Sequence, residues 1–206
     1  MAGSRKGVRL RLQRAALDLY AERGFDRTTA ADVAALAGVT ERTYFRHFPD
    51  KREVLFDGDA ETRTALVDAV SSASAGLSPM SVLLEAFLSV VPMLESDRTV
   101  KELRHRVIAS TPELQEREHM KWALLTDALA EALERRAVPQ GLASLAAACG
   151  TAVLTRVRRQ WLAGSQRDCG DYATLLTDAF ADLGLLVTAR DESGRPSPCL
   201  ASSSHG

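Results

Sequence analysis

Side chains that could form hydrogen bonds and ion pairs are concentrated on the short segment from Thr40 to His47. An arginine such as Arg42 can donate two hydrogen bonds to one guanine, whereas hydroxyl and lysine side chains suit the phosphates that set the register on a duplex. We therefore expect base contacts from Arg42 and the threonines beside it, and phosphate contacts from the flanks of the segment. The predicted DNA contacts are Thr28, Thr29, Thr40, Glu41, Arg42, Thr43, Tyr44, His47 and Lys51.

Two short helices joined at a glycine carry these side chains. Thr28 and Thr29 offer hydroxyls that can cap the first helix, and Gly38 ends it because glycine accepts a positive φ without steric cost. Thr40 can cap the second helix, and Pro49 ends it because the residue before a proline is driven out of the helical region. Two helices across a short glycine-containing turn are typical of a helix-turn-helix, whose second helix enters the major groove of DNA.

An ordinary helical hairpin with a solvated face is the simpler interpretation of these two helices. Helical spacing places Val39, Tyr44 and Phe48 toward the first helix and leaves the polar side chains of the second helix outside. Tyr44 could instead reach the duplex, although we favour the core. The flanks favour the helix-turn-helix, because an amphipathic helix closes at Gly24 and another opens at Asp50.

Residues 15 to 55, AALDLYAERGFDRTTAADVAALAGVTERTYFRHFPDKREVL, resemble the DNA-binding region of the TetR family of transcriptional repressors without a gap. The resemblance covers about a fifth of the chain. It implies an all-α fold, in which an N-terminal helix-turn-helix domain precedes a helical body, and a homodimer that binds a palindromic operator on double-stranded DNA. Family members often have a tyrosine at the position of Phe45, whose hydroxyl reaches a phosphate, and Phe45 cannot make that contact.

Apolar residues at helical spacing predict about nine helices and no strands. The first helix of the body, Lys51 to about Ala75, would be the mechanical link between the two domains, although Gly58 within it weakens the prediction of one continuous helix. The predicted organisation is a helix-turn-helix domain at 1–50 with a flexible arm at 1–7, a ligand-binding and dimerisation domain at 51–189, and a disordered tail at 190–206.

Composition restricts the class of protein. Residues 1–50 carry nine Lys or Arg side chains against six acids, a net charge of +3, and the remaining residues therefore carry −4. A basic N-terminal segment followed by an acidic remainder is typical of a protein that contacts phosphate groups with one end only. The three cysteines are widely spaced and odd in number, which favours neither a disulfide framework nor a metal site. No apolar run suits a membrane span or a signal peptide, so we expect a cytoplasmic protein with no membrane partner.

Two long apolar helices close the predicted body, at about 141–163 and 171–189. Such a pair could simply complete the core of one monomer. In TetR relatives the corresponding pair forms a four-helix dimer interface, and a dimer would present two recognition helices to one duplex. The resemblance therefore implies a dimer interface at Leu142, Leu145, Ala146, Cys149, Val153, Leu175, Leu176, Ala179, Phe180 and Leu183.

The apolar residues of the body could enclose a cavity or form a solid core. The resemblance and three methionines, whose side chains adapt to different shapes, favour a cavity for a small and mainly apolar effector. Arg104 and His105 could orient that effector or lie on a solvated face, and we favour the face. The predicted pocket is lined by Phe56, Met80, Leu84, Phe87, Met93, Leu103, Arg104, His105, Met120, Trp122, Leu125 and Trp161.

The function that these features predict is a ligand-responsive DNA-binding transcriptional regulator, a repressor released from its operator by a small molecule. By the mechanism that the resemblance implies, the effector shifts the linking helix and changes the separation of the two recognition helices. A constitutive DNA-binding regulator with a solid core is an alternative.

Catalysis is the remaining alternative. Glu102 with His105, and Glu116 with His119, form two Glu-x-x-His patterns of the kind found in di-iron helical bundles. The residues around both patterns are charged, as on a solvent-exposed surface, which argues against an inward-facing metal site. The sequence has no GxSxG, Walker or GxGxxG motif. We expect no enzymatic activity, no metal and no cofactor.

Overall fold

The computed structural model describes the backbone of residues 2–164 and 171–188, and its regular structure is entirely helical, which confirms the all-α prediction. Within these ranges the chain forms ten α-helices and one 3₁₀ helix, against about nine helices predicted. The predicted helix at 79–95 is divided, because the chain leaves the helical conformation at Val90, two residues before Pro92. The α-helices are α1 (Ala2–Arg23), α2 (Ala30–Leu36), α3 (Glu41–His47), α4 (Asp59–Ser72), α5 (Pro79–Ser89), α6 (Val91–Glu95), α7 (Arg98–Ala109), α8 (Pro112–Arg135), α9 (Gln140–Ala163) and α10 (Tyr172–Thr188).

The N-terminal helix is longer than the sequence predicts. It begins at Ala2 rather than at Val8, so the backbone of residues 2–7 is helical where a flexible arm is expected. This stretch contains Arg5 and Lys6, which are good helix formers, and Gly7 costs only about 1 kcal/mol relative to alanine in a helix interior. The tail predicted at 190–206 lies outside the described residues.

The link between the helix-turn-helix and the body is not one helix. Instead of a helix from Lys51 to about Ala75, the chain forms a 3₁₀ helix at Glu53–Phe56 and then α4. Gly58 lies between these two elements with φ of 90°, a left-handed conformation that glycine adopts without steric cost. We call α1 to α3 together with the 3₁₀ helix the head, and α4 to α10 the body.

The hydrophobic core of the head extends beyond residue 50. It includes Tyr44 of α3 and Phe48 directly after this helix, but also Phe56 of the 3₁₀ helix and Val107 and Ile108 of α7. Helix α1 packs along α7, so residues distant in sequence complete this core. The predicted boundary after residue 50 therefore does not separate two independent cores.

The core of the body lies along α8 and α9, two helices of 24 residues each, with α4, α5 and α10 packed around them. Gly150 allows α9 to approach α5 closely, because a Cβ at this position would lie 2.9 Å from Leu83 Cδ1. Phe87 is fully buried, and its ring centroid lies 5.9 Å from that of Phe180 on α10. Among the described helices, none combines the length and the apolar character needed to cross a membrane.

Candidate DNA-binding interface and effector region

Local hydrogen bonds fix the two short helices of the head. Thr29 caps α2, since its Oγ1 accepts from Asp32 N at 3.1 Å and the Asp32 carboxylate accepts from Thr29 N at 2.8 Å. Hydrogen bonds from the Thr29 side chain and backbone lower the pKa of the Asp32 carboxyl. Thr40 caps α3 by accepting from Thr43 N at 3.2 Å, and Gly38 forms the turn between the helices with φ of 68°. These contacts confirm Thr29 and Thr40 as caps, whereas Thr28, the other residue expected to cap α2, does not cap it.

The exposed side of α3 carries the side chains expected to read bases. Glu41 and Arg42 are exposed, and Thr43 is half-buried with its hydroxyl 3.0 Å from that of Thr40. Within the described part of the chain, Arg42 forms no ion pair or side-chain hydrogen bond, so its guanidinium is available to a ligand. Arg46 is also exposed on α3 but is absent from the predicted contacts. Its positive charge is the feature of the sequence that could have identified it as a candidate DNA contact.

Two predicted DNA contacts are buried instead. Thr28 is 1% exposed, and its hydroxyl donates to Gly24 O at 2.9 Å. The hydroxyl of the fully buried Tyr44 donates to Lys51 O at 3.3 Å, and Tyr20 donates to the same carbonyl at 2.9 Å. Burial raises the pKa of both phenols, so both remain donors. Thr28 and Tyr44 hold the head together, and neither side chain can contact DNA in this conformation.

The predicted phosphate contacts lie at the flanks of the recognition helix. Thr29 is exposed at the start of α2, and His47 is half-buried at the end of α3. Lys51 is half-buried, since its ammonium donates to Phe25 O at 2.8 Å and lies 3.9 Å from the centroid of that ring. Phe45 is 48% exposed, so its ring lies at the surface of the head.

A charged contact between the head and α8 was not predicted. The Glu53 carboxylate accepts from Arg117 Nε at 2.7 Å and from Lys121 Nζ at 2.9 Å. The three side chains are between 15% and 30% exposed, so these ion pairs are partly shielded from solvent. Glu53 is 64 and 68 positions from its partners, a separation at which the sequence offers no signal. We call these three residues the head–body contact.

Arg104, a predicted pocket residue, supports the same region from α7. Its guanidinium donates to Leu55 O, approaches Asp59 Oδ2 at 3.4 Å and lies 5.1 Å from the Phe56 ring centroid. Arg104 therefore ties α7 to the 3₁₀ helix and to the start of α4. It does not lie on the solvated face that we favoured, because the side chain is only 19% exposed.

The other predicted pocket residues are divided among two cores and the surface. Phe56 belongs to the core of the head, with Leu103 packed against it. Met93 and Met120 are exposed, so these two flexible side chains do not line an interior pocket. His105 is half-buried on α7. The core of the body contains Met80, Leu84, Phe87, Trp122, Leu125 and Trp161.

A cavity of about 320 Å³ lies elsewhere, at the connection between α4 and α5. Arg136 closes one side of it and donates to Ala73 O and Ser74 O, both at 2.8 Å. None of the predicted pocket residues contributes to its walls, which are Ala73, Ala75, Gly76, Leu77, Pro79, Val82, Arg136 and Val138.

The interior of the body also contains charged side chains. Arg158 of α9 donates to Glu118 Oε1 at 2.6 Å, and its guanidinium lies 5.3 Å from the Trp122 ring centroid. Arg98 of α7 donates to Trp161 O at 2.6 Å and lies 4.7 Å from the centroid of that ring. Charges partly removed from water interact more strongly than surface charges. This part of the body is therefore more polar than the apolar pocket predicted.

The predicted dimer faces of α9 and α10 are only partly available to a second chain. Leu176 is fully buried, and Ala146, Val153 and Ala179 are nearly so, because these side chains complete the core of the monomer. Half-buried or exposed positions remain at Leu142, Leu145, Cys149, Leu175, Phe180 and Leu183. Leu185 and Leu186 of α10 are exposed apolar residues that the prediction missed.

The two Glu-x-x-His patterns do not converge. Glu102 accepts from Arg98 Nε at 2.7 Å, whereas Glu116 and His119 are exposed on α8. In the ranges that the structure describes, no three His, Cys, Asp or Glu side chains are grouped so that they could hold a metal ion.

Known proteins match both halves of this architecture. Residues 12–57 match the family model described as bacterial regulatory proteins, tetR family, and residues 77–186 match the model of the MftR C-terminal domain. The chain is 31% identical over 169 residues to the HTH-type transcriptional regulator TtgR of Pseudomonas putida, which covers 75% of this chain and 80% of TtgR.

Two further relatives extend the comparison. The chain is 30% identical over 122 residues to a candidate mycofactocin biosynthesis transcriptional regulator, MftR, of Mycobacterium tuberculosis; the match covers 59% of this chain and 61% of that protein, less than two thirds of its length. The complex of SmeT, from Stenotrophomonas maltophilia, with triclosan superposes with a TM-score of 0.59 at 21% identity, and the superposition covers 96% of this chain and 99% of SmeT. This likeness establishes a shared fold.

Proposed function

The chain belongs to the TetR family of bacterial regulatory proteins, and from this premise we propose that it represses its target genes until a small molecule releases it from its operator. The family consists of DNA-binding transcriptional regulators rather than enzymes, and this chain is one of them. The observation that carries the proposal is Arg42, an exposed and unpaired arginine on a helix held in place by the buried Tyr44.

Arg42 is the side chain that we assign to base recognition. A guanidinium that donates to both acceptors of a guanine contributes about 1–3 kcal/mol of discrimination against other bases. Thr40 and Thr43 lie beside it, and their hydroxyls hydrogen bond to each other. The hydroxyl that accepts in this bond keeps its own proton and is free to donate to DNA. We assign Lys51, which follows the recognition helix, to a phosphate, because such contacts set the register of a protein on the duplex. The Thr29 hydroxyl donates to Asp32 Oδ2 at 2.6 Å and is therefore not free to donate to a phosphate.

A homodimer formed through α9 and α10 would supply the second recognition helix. Leu145 and Leu185 are 62% and 66% exposed on these helices, which pack side by side and share an ion pair between Arg156 and Asp182 at 3.5 Å. Burial of exposed leucines against a second copy is favourable in water. A two-fold axis at this surface would present one α3 to each half of a palindromic operator, with half-sites about 34–36 Å apart.

Effector binding would act on the head through α7 and α8. These helices hold the 3₁₀ helix through Arg104 and the head–body contact, and Tyr44 joins the recognition helix to the same region at Lys51 O. An effector that binds the released state of the body more tightly than the DNA-bound state would move this support and change the spacing of the two recognition helices. SmeT, of the same fold, forms a complex with triclosan, which supports a small-molecule effector here.

In vitro selection from random duplex DNA, with the full chain, tests the proposal. We expect enrichment of a two-fold symmetric sequence, and the Arg42→Ala variant should bind it at least about tenfold more weakly, because one base contact is lost in each half-site. Arg135→Ala, which removes an exposed arginine of the body, is the matched control and should leave affinity unchanged. Failure to enrich a symmetric sequence, or equal affinity of the Arg42→Ala variant, would contradict the proposal.

A further inference from the structure

Three polar atoms in the interior of the body lack a hydrogen-bond partner among the described residues. They are His105 Nδ1 on α7, Arg158 Nε on α9 and the hydroxyl oxygen of Tyr172 on α10. Tyr172 is 1% exposed, so its hydroxyl is closed off from bulk water. A buried donor without an acceptor destabilises a protein, and native structures rarely leave one unexplained. Three such atoms on three helices therefore require an explanation.

Ring contacts join the three helices that carry these atoms. Arg158 precedes Trp161 by about one turn of α9. The Trp161 ring centroid lies 5.6 Å from that of Tyr172 on α10 and 4.7 Å from the guanidinium carbon of Arg98 on α7. The helices thus meet in one region, which we call the α7–α9–α10 site. Burial lowers the pKa of His105 and raises that of Tyr172, and the charge of Arg158 acts on both groups.

The acids nearest this site already have partners, since Glu95 accepts from Tyr172 N at 2.9 Å and Glu102 accepts from Arg98 Nε at 2.7 Å. Glu118 binds one end of the Arg158 guanidinium and leaves its Nε–H unpaired. Lys101 of α7 donates only to neutral oxygens, Met93 O and Leu94 O at 2.6 Å among them. Burial, followed by the charge of Arg104, lowers the pKa of Lys101 to about 8, as expected where cations are crowded.

The unpartnered atoms and the surrounding rings define the chemistry of a ligand. Arg158 Nε–H and the Tyr172 hydroxyl are donors, and neutral His105 can donate from Nδ1. An acceptor with a negative charge satisfies such donors best. The ring centroids of Trp161 and Tyr172 lie 5.6 Å apart, and Trp122 packs against Arg158, so apolar surface borders the donors.

We propose that the effector of this regulator carries a carboxylate, which Arg158 and Tyr172 bind, with His105 as a third contact and the apolar part of the molecule against Trp122 and Trp161. This inference rests on the proposed function, since it names the chemical class of the effector. It extends the expectation of a mainly apolar effector by adding an anionic group.

The α7–α9–α10 site is connected to the head through two helices. His105 follows Arg104, which donates to Leu55 O, so a shift of α7 at the site would move the support of the 3₁₀ helix. On α8, Glu118 binds Arg158 and lies one turn before Lys121, which binds Glu53. A carboxylate that competes with Glu118 for Arg158 would disturb the head–body contact.

Tryptophan fluorescence provides a direct assay, because Trp122 and Trp161 are the two tryptophans of the chain and both border the site. The probes are benzoate and octanoate, each compared with its neutral amide, benzamide or octanamide. We expect at least one carboxylate to change the fluorescence saturably and to weaken operator binding, whereas its amide at the same concentration does neither. No response to either carboxylate, or an equal response to its amide, would overturn the proposal.

Tyr172→Phe separates binding from folding, because it removes an unpartnered hydroxyl and keeps the ring against Trp161. We expect this variant to fold at least as stably as the parent and to bind the carboxylate at least about tenfold more weakly, as for a lost hydrogen bond to a charged group. Tyr20→Phe is the matched control in the head and should leave carboxylate binding unchanged. Unaltered binding by Tyr172→Phe would remove Tyr172 from the site and overturn the assignment.

Operator binding without effector is measured on the same samples, so that two failures can be told apart. Operator binding without a carboxylate response would refute the carboxylate effector and leave the regulator intact. A carboxylate response in a chain that binds no specific DNA would refute the proposed function instead. Saturable carboxylate binding that leaves operator affinity unchanged would refute the assignment of the site to the effector.

Discussion

Neutralising Glu53 tests whether the head–body contact holds the head in place. In Glu53→Gln the two cations of the contact, Arg117 and Lys121, lose the negative charge that they share, and one of the two carboxylate oxygens is replaced by an amide nitrogen that cannot accept. At the observed 2.9 Å between Glu53 and Lys121, Coulomb attraction has a ceiling of about 6 kcal/mol for an effective dielectric constant of about 20. Desolvation and side-chain entropy reduce this figure strongly, since fully exposed pairs contribute only about 0.2–1 kcal/mol.

The exposure of the two side chains decides where the Glu53–Lys121 pair falls in this range. Glu53 and Lys121 are 15% and 24% exposed, so we expect a coupling free energy of about 1–2 kcal/mol, between the values for exposed and for buried pairs. A double-mutant cycle of Glu53→Gln and Lys121→Met, measured by urea unfolding at fixed protein concentration, gives this coupling directly.

An exposed ion pair on α8, the helix that carries Lys121, provides the control for the cycle. Arg135 and Glu131 are separated by 3.9 Å and are 56% and 71% exposed, so their coupling should not exceed about 0.5 kcal/mol. High salt should weaken the Glu53–Lys121 coupling only in part, because shielded charges are screened less than surface charges. A coupling below about 0.3 kcal/mol would refute our view that this contact holds the head. The effects of substitutions at two independent residues add to within about this amount.

Three further substitutions test other parts of the molecule. Phe45→Tyr should tighten operator binding about threefold to tenfold, because an exposed ring gains a hydroxyl that can donate to a phosphate; unchanged affinity in a gel-shift titration would show that Phe45 does not face the backbone of DNA. Leu145→Glu should convert the proposed dimer to monomers in analytical ultracentrifugation while helicity by circular dichroism persists, since each copy would place a charge at the proposed two-fold interface; a stable dimer would place the interface elsewhere. Thr28→Val should lower the free energy of unfolding by about 1–2 kcal/mol, because Gly24 O loses its donor, and should leave the operator affinity of the folded protein unaltered; weaker DNA binding with normal stability would restore Thr28 as a DNA contact.

The local architecture of the recognition segment could be predicted from the sequence. Thr29, Gly38 and Thr40 act on residues within a few positions of themselves, so their types and spacing specify the two caps and the turn. The same local periodicity places Arg42 outside. The TetR family could be predicted from this segment because its pattern of caps, turn and exposed side chains is local. The matches to residues 12–57 and 77–186 confirm the family.

Burial was decided by tertiary packing. Tyr44 carries a polar group that suits either DNA or the core, and its burial depends on Lys51 O, which the fold brings within reach of its hydroxyl. On α9 and α10, apolar residues occur on more than one side, so periodicity could not separate Val153, which faces the monomer core, from Leu145, which faces outward.

The sequence by itself determined the two short helices and the turn that we assign to DNA recognition, because helix caps, glycine turns and helical periodicity act between near neighbours. Only the tertiary structure decided how that segment is supported and where polar groups enter the body. Glu53 meets Arg117 and Lys121 across more than sixty residues, and Arg158 of α9 meets Glu118 of α8 across forty. Contacts of this kind depend on how whole helices pack, and no spacing within the chain encodes them.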